Sequence, residues 1–381
     1  MARPKRTSTT LNLNAKTYWP KTTELVSLEF ILKPIANTDL YAQYTIGLHA
    51  WFLHQIQDID PNLSAYMHDS ESEKSFSMTG LDGQFIPQSQ SLQLQRNKHY
   101  RWRVNALCKP VVQGLATWLK QLPKEIILKN SPLTIESVNF AHPPTTYTKL
   151  WQQGKTGEGS TSLSFHSPTS FRRKGHHLPL PWPKNVFHSY LRRWNHFSKK
   201  PVSQDDFLDW VDTYVIITQH NMSTAKVAAG KQGSVTGFTG AVTYAIDRRG
   251  ITEKPFVALF YALTQLAPYC GTGHKTTFGL GETQLGWHTS QPAPQAPTQQ
   301  RLLAERMYEL TEIFLSSKKR QGGRRAIDTA ETWATILARR EMGDSLQEIA
   351  DDMELAYETA KTYSKLARRA MRELTRREYD G

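Results

Sequence analysis

Cys270-Gly-Thr-Gly-His-Lys-Thr-Thr-Phe-Gly-Leu-Gly281 lies between an apolar run, 256–266, that reads as a helix, and an alternating run, 277–287, that reads as a strand. Four glycines in one short loop (Gly271, Gly273, Gly279 and Gly281) permit left-handed backbone angles and the close approach of another chain. Such a loop aims several N–H groups one way, which suits a phosphate, and His274 and Lys275 stand between the glycines. A glycine-rich hairpin with no ligand is the competing reading of the loop taken alone. A nucleotide-binding P-loop is excluded by spacing, because His274 separates Gly273 from Lys275.

Working outward, this helix–loop–strand closes a longer pattern. A strand at 161–167, a helix at 184–197, strands at 212–222 and 236–246, a helix at 253–266 and a last strand at 278–287 give the order β-α-β-β-α-β. The same order precedes it. Val26, Leu28, Phe30 and Leu32 alternate in a strand at 22–35, and Thr38 or Asp39 caps a helix running to about Asp58. Strands at 74–80 and 99–107, a helix at 110–122 and a strand at 133–140 follow. The expected class is α+β: two tandem ferredoxin-like (RRM-like) domains, at 20–145 and 155–288, each a four-stranded sheet with helices on one face.

Gln291-Pro-Ala-Pro-Gln-Ala-Pro-Thr-Gln-Gln300 has the proline content of an extended spacer, so 289–300 reads as a linker. The remainder, 301–381, is a small all-α domain with helices at 301–316 and 328–342. Two more helices, separated by Glu354-Leu-Ala, have helix-turn-helix spacing and resemble the DNA-binding end of sigma factors and response regulators. Thr359, Lys361, Thr362 and Lys365 are then the groove-facing candidates for DNA binding. The competing reading is a helical module that docks onto a protein, with Leu346, Ile349, Ala350 and Leu366 as its core.

The net charge of +13 and pI near 9.6 point to a polyanion, nucleic acid before a membrane surface. From Arg301 onward there are 16 Lys and Arg against 15 Asp and Glu, so the excess lies in the first 300 residues. Two cysteines, Cys108 and Cys270, supply neither a disulfide framework nor a structural zinc site. The basic N-terminus has no apolar signal core behind it and no run is long enough to span a bilayer, so a cytoplasmic protein without membrane contact is expected.

Further motifs join the glycine loop. Ser167-Pro-Thr-Ser-Phe-Arg-Arg173 is followed by Leu178-Pro-Leu-Pro181 and by Val186-Phe-His-Ser-Tyr-Leu-Arg-Arg-Trp-Asn195, and Asp60-Pro-Asn-Leu-Ser-Ala-Tyr-Met-His-Asp-Ser70 stands upstream. In this order, with two β-α-β-β-α-β units, they resemble the CRISPR repeat-processing endoribonucleases, the family of CRISPR-associated protein six. The resemblance covers about 20–288 and leaves the tail unexplained. It implies cleavage of CRISPR precursor RNA within each repeat, without metal or other cofactor, by attack of a ribose 2′-hydroxyl that leaves a 2′,3′-cyclic phosphate and a 5′-hydroxyl. It leaves open whether the enzyme stays on its product and joins effector-complex subunits.

That chemistry needs a base, an acid and a cation, for which histidine and lysine are suited. By the resemblance His68 matches best, His49 is its partner with His54 as a rival, and Lys74 supplies charge. An ordinary loop histidine and a helix-face core histidine are the competing readings of His68 and His49. For the RNA, Arg172, Arg173, Lys174, Arg192, Arg193, Lys226, Lys231 and Lys275 are candidate phosphate contacts, with the four loop glycines beside the backbone. Adjacent His176 and His177 point to opposite faces of an extended chain and are discounted as metal ligands. A non-cleaving repeat-RNA binder and a DNA-binding regulator remain the alternatives.

Overall fold

A computed structural model describes residues 18–41, 43–69, 73–87, 91–174, 176–228, 234–288, 298–316 and 324–379. The first half runs β1 (Leu25–Pro34), β2 (Thr38–Leu40), α1 (Tyr44–Gln57), α2 (Pro61–Asp69), β3 (Phe76–Met78), β4 (Ile86–Pro87), β5 (Leu92–Leu94), β6 (Tyr100–Ala106), α3 (Lys109–Leu119), β7 (Glu125–Leu128) and β8 (Ser131–Thr145). Its main sheet is antiparallel in the order β3-β6-β1-β8-β7, the order of a β-α-β-β-α-β unit with β7 added at the edge. β1 is central because its alternating residues face two layers. Leu28, Phe30 and Leu32 are fully buried beneath the helices, while Glu29 and Ile31 face the other side. Phe30 packs on Trp102 and Trp118 at 5.0 and 5.3 Å between centroids, and Phe52 of α1 closes the nest.

The second half runs α4 (Tyr147–Lys155), β9 (Thr161–Thr169), β10 (Phe171–Arg173), β11 (His176–Leu178), α5 (Pro183–Phe197), α6 (Gln204–Tyr214), β12 (Val215–Ala228), β13 (Ser234–Ile246), α7 (Lys254–Cys270) and β14 (Thr283–Leu285). Its sheet has the order β12-β13-β9-β14, again that of a β-α-β-β-α-β unit, and β10 pairs with β11 as a small ribbon. Most buried apolar residues of both halves, from Trp19 to Cys270, form one continuous core, and Val227, Val235 and Leu280 form a small separate cluster. α7 contributes most of its length to it.

Three local expectations change. Residues 38–40 pair with β5 instead of opening a helix, so α1 starts at Tyr44 without a side-chain cap. The strand expected at 212–222 starts at Val215, because Phe207, Leu208, Trp210 and Val211 bury one helical face behind Asp205 and Asp206. The last strand shrinks to Thr283–Leu285, since Gly279 and Gly281 hold positive φ and keep 278–281 in the loop.

The tail folds as α8 (Thr298–Ser316), α9 (Arg324–Glu341), α10 (Leu346–Asp352) and α11 (Tyr357–Tyr379). Of the expected linker, 289–297 lies outside the described residues and 298–300 opens α8. Leu303, Met307, Leu310 and Phe314 pack on Ala330, Ala334 and Leu337 of α9, while Ile336, Ile349, Met353, Leu355 and Tyr363 form a second cluster. Leu366, expected in that core, is instead exposed. The tail touches both halves. Lys226 of β12 lies 3.5 Å from the centre of the Tyr308 ring in α8, and Lys129 lies 3.8 Å from Glu348 of α10. Among the described residues no helix is long and apolar enough to cross a membrane.

Candidate active site

α7 ends at Gly271, whose φ of 66° no β-carbon residue adopts without strain. The loop then folds back on itself. Thr272 donates its N–H to Gly281 O at 2.8 Å, and its hydroxyl lies 2.6 Å from those of Tyr190 and Thr283. Arg193 of α5 clamps the loop from below. Its guanidinium donates to Gly273 O at 3.1 Å and to Ser189 Oγ at 2.7 Å, and that hydroxyl accepts the Gly273 N–H at 2.9 Å.

From there the loop crosses to the first half. Thr276 O accepts the N–H of Met78 at 3.0 Å, and Gly279 bridges Thr79 in parallel. A β-carbon on Gly279 would stand 2.9 Å from Gly80 N, so glycine is required for the two backbones to meet. This contact sets Phe278 on His49 of α1, with centroids 4.3 Å apart and planes 23° from parallel. Phe76 lies on the same imidazole at 5.9 Å. His49 is half-buried, held between the glycine loop and β3.

His68 occupies the last turn of α2 rather than a loop, and is exposed. Lys74 Nζ donates to its carbonyl at 2.6 Å, a lysine closing a helix C-terminus. Next to Lys74, Glu73 accepts from Arg192 Nε at 2.8 Å and lies 3.8 Å from Arg193 Nε. One chain of contacts therefore joins the end of α2, α5 and the glycine loop.

On the loop's other flank, His274 Nδ1 lies 2.9 Å from Ser170 O, and its ring stacks on His177 at 5.3 Å. Burial pushes both imidazoles down to about 4, with Lys275 and Arg172 adding to it. Neutral His274 thus donates from Nδ1 to Ser170 O. Its Nε2, His177 Nδ1 and Ser170 Oγ are buried without a hydrogen-bond partner among the described residues. Burial and Arg172 likewise lower Lys275 to about 8, against the opposing pull of Glu331 from α9.

With this geometry in place, the family comparison is decisive. The model described as CRISPR-associated endoribonuclease Cas6 matches residues 163–283, and that of the CRISPR Cas6 N-terminal domain matches 26–151. The chain belongs to the CRISPR-associated endoribonuclease Cas6 family. Its activity is therefore that of an RNA-processing endoribonuclease of CRISPR systems. A Cas6 endoribonuclease of Streptococcus thermophilus is 25% identical over 196 residues, 50% of this chain and 77% of that one. A Cas6 product complex superposes with a TM-score of 0.53 at 25% identity, covering 69% of this chain and 99% of the other. A second Cas6 product complex, of Thermus thermophilus, shares the fold at 20% identity and a TM-score of 0.55, over 69% and 100%.

Within this Cas6 chain the expected phosphate contacts divide. Arg172, Arg173 and Lys174 are exposed at the β10–β11 ribbon, and Arg192 is half-exposed beside Glu73. Arg193 is only 5% exposed, with its guanidinium shared between Ser189 of its own helix and Gly273 and Thr276 of the loop, so it serves as a clamp. Lys226 lies against the Tyr308 ring of α8, and the carboxylates Glu305 and Glu312 act on it. The four glycines are buried and bring protein backbones together. Lys231 lies outside the described residues. Sequence reading missed Phe278, placed in a strand, and Glu73. Neither carries a local signal, because each acts through a partner more than 100 residues away.

Proposed function

We propose that this Cas6 chain cuts CRISPR precursor RNA within the repeat by transesterification. The 2′-oxygen of the nucleotide before the cut attacks the adjacent phosphorus, the bond from phosphorus to the 5′-oxygen breaks, and a 2′,3′-cyclic phosphate and a 5′-hydroxyl result. One imidazole accepts the proton of the 2′-hydroxyl and the other protonates the departing 5′-oxygen. His49 and His68 take these proton-transfer roles, and the Lys74 ammonium beside His68 offsets charge on the phosphorane. No metal is required by this scheme.

The observation that carries the reading is the stack of His49 on Phe278. It holds a half-buried imidazole where the glycine loop meets α1. Arg172, Arg173, Lys174 and Lys275 lie on the loop's outer flank, where they hold repeat phosphates by charge; Arg192 extends the same surface. In this reading the chain is two ferredoxin-like units with the RNA between them, a linker and a helix-turn-helix-like tail. Retention of the product, and docking to effector-complex subunits, accord with a basic surface wider than the cut site.

The test is incubation of the repeat RNA in excess EDTA with the wild type, His49→Ala and His68→Ala, beside a substrate carrying a 2′-deoxy sugar at the cut. A single cut with a cyclic phosphate end, lost with the deoxy sugar and in the His variants, is expected. RNA bound tightly but left whole by the wild type overturns the reading in favour of a non-cleaving binder.

A further inference from the structure

We propose that α11 is a recognition helix for double-stranded DNA, giving the protein a second nucleic-acid site separate from its RNA chemistry. The first support is the packing of the tail. Ser345 and Glu348 form a reciprocal cap at the start of α10, each side chain bonded to the other's backbone N–H at 3.2 and 2.9 Å. At the far end Glu354 takes a left-handed φ of 52°, and Leu355 donates its N–H to Ala350 O at 2.9 Å. Leu355 then turns inward among Ile336, Ile349, Met353 and Tyr363, so α9, α10 and the first turns of α11 share one core. This is the helix–turn–helix arrangement in which the second helix is held out from the domain by the first.

The second support is the outward face of α11. Ala360, Ser364 and Ala367 are buried, and the opposite face exposes Lys361, Lys365, Arg368, Arg369 and Arg372 against Glu358 and Glu373. Lys361 and Arg369 are 59% and 78% exposed at the side chain, although each touches a carboxylate of its own helix. Those pairs are solvent-exposed contacts within one helix that hold weakly, so a phosphate displaces them readily. Lys361, Thr362 and Lys365 stand in the first turns, where a recognition helix meets base edges, and the arginines lie further along, where it meets phosphates.

The third support is shape. The major groove of B-form DNA admits an α-helix, whereas the corresponding groove of A-form RNA is too deep and narrow to be read by one. Because the tail is near-neutral as a whole, the attraction is confined to this stripe and does not extend over the domain.

The full-length protein is titrated into a fluorescent DNA duplex a few helical turns long, beside an RNA duplex of the same sequence, at several salt concentrations. The wild type is expected to bind the DNA duplex through α11, while the RNA duplex reports on the RNA-binding surface of the Cas6 body. Lys361→Glu/Lys365→Glu is expected to weaken DNA binding at least tenfold and to flatten the salt dependence by about one slope unit per cation removed. Lys361→Gln/Lys365→Gln does the same to a smaller degree. Cleavage of repeat RNA and the thermal midpoint stay at wild-type values, showing that the fold is intact. Equal affinity of wild type and charge-reversed protein for the DNA, or a loss of RNA-duplex binding in that variant as large as its loss of DNA binding, overturns the proposal.

Discussion

The imidazole of His49 lies face to face with the ring of Phe278, 4.3 Å between centroids, although 229 positions separate them in the chain. The contact exists only because the glycine loop reaches β3 and bonds to Met78. It couples the loop to the group proposed to move a proton.

His49→Ala is therefore expected to slow single-turnover cleavage by about 10²–10⁴-fold, the usual size of a general acid–base contribution. RNA affinity should change little. Phe278→Ala should follow in the same direction by a smaller factor, because the imidazole survives but loses its orientation. Single-turnover rates and filter-binding constants decide; wild-type cleavage by His49→Ala would remove that histidine from the mechanism.

Arg193→Ala should act on stability rather than on affinity. It leaves Gly273 O and Ser189 without their buried donor, a loss of about 1–3 kcal/mol, while Glu73 keeps its pair with Arg192. Arg192→Ala, at a side chain 49% exposed, should cost less than about 1 kcal/mol and lower RNA affinity instead. Urea midpoints and salt-dependent binding separate the two; equal midpoints would show that Arg193 is no clamp.

Gly279→Ala combines a φ of 81° with a β-carbon 2.9 Å from Gly80 N. The strain of a left-handed alanine alone is about 1–2 kcal/mol, and the loop must also withdraw from β3. Loss of cleavage together with a lowered melting temperature is expected. A variant that melts and cuts like the wild type would refute a requirement for that close approach.

Burial holds His142 and His274 near 4, below their usual 6.5, so the folded state favours the neutral rings. Between these values the unfolded chain binds more protons. Their contribution is thus complete above about 6.5 and is lost as pH falls through about 4, by at most about 3 kcal/mol each. Denaturant midpoints measured across that window should fall with acid, and His274→Asn should flatten the fall. An unchanged slope in the variant would mean that His274 is already protonated in the fold.

Glu331 of α9 bears on Lys275 as the opposing charge, and removing it leaves that ammonium to an incoming phosphate. Glu331→Gln should tighten repeat-RNA binding several-fold, and adding Lys275→Ala should cancel the gain. Additive effects in this double-mutant cycle would show that the two groups are not coupled.

Much of this architecture is local in origin. Apolar periodicity pointed to the main strands and helices of a mixed α+β fold, the spacing around Glu354-Leu-Ala to the helix pair α10 and α11, and glycine to the loop after α7, because each pattern is a property of neighbouring residues. The order of the motifs also sufficed to point to the family. What the chain alone left undecided is who meets whom. Arg193 has the same chemistry as Arg192 in sequence, but one residue of helix rotation buries it under the loop while Arg192 faces solvent. Lys226 reads as a surface charge until α8 lies over it. Apart from the family resemblance, His49 reads as one histidine among 13, and Phe278 reads as part of a strand. Contacts across such separations depend on how two sheets and a helical tail pack together, and no window of neighbouring residues contains that packing; the tertiary structure alone decided them.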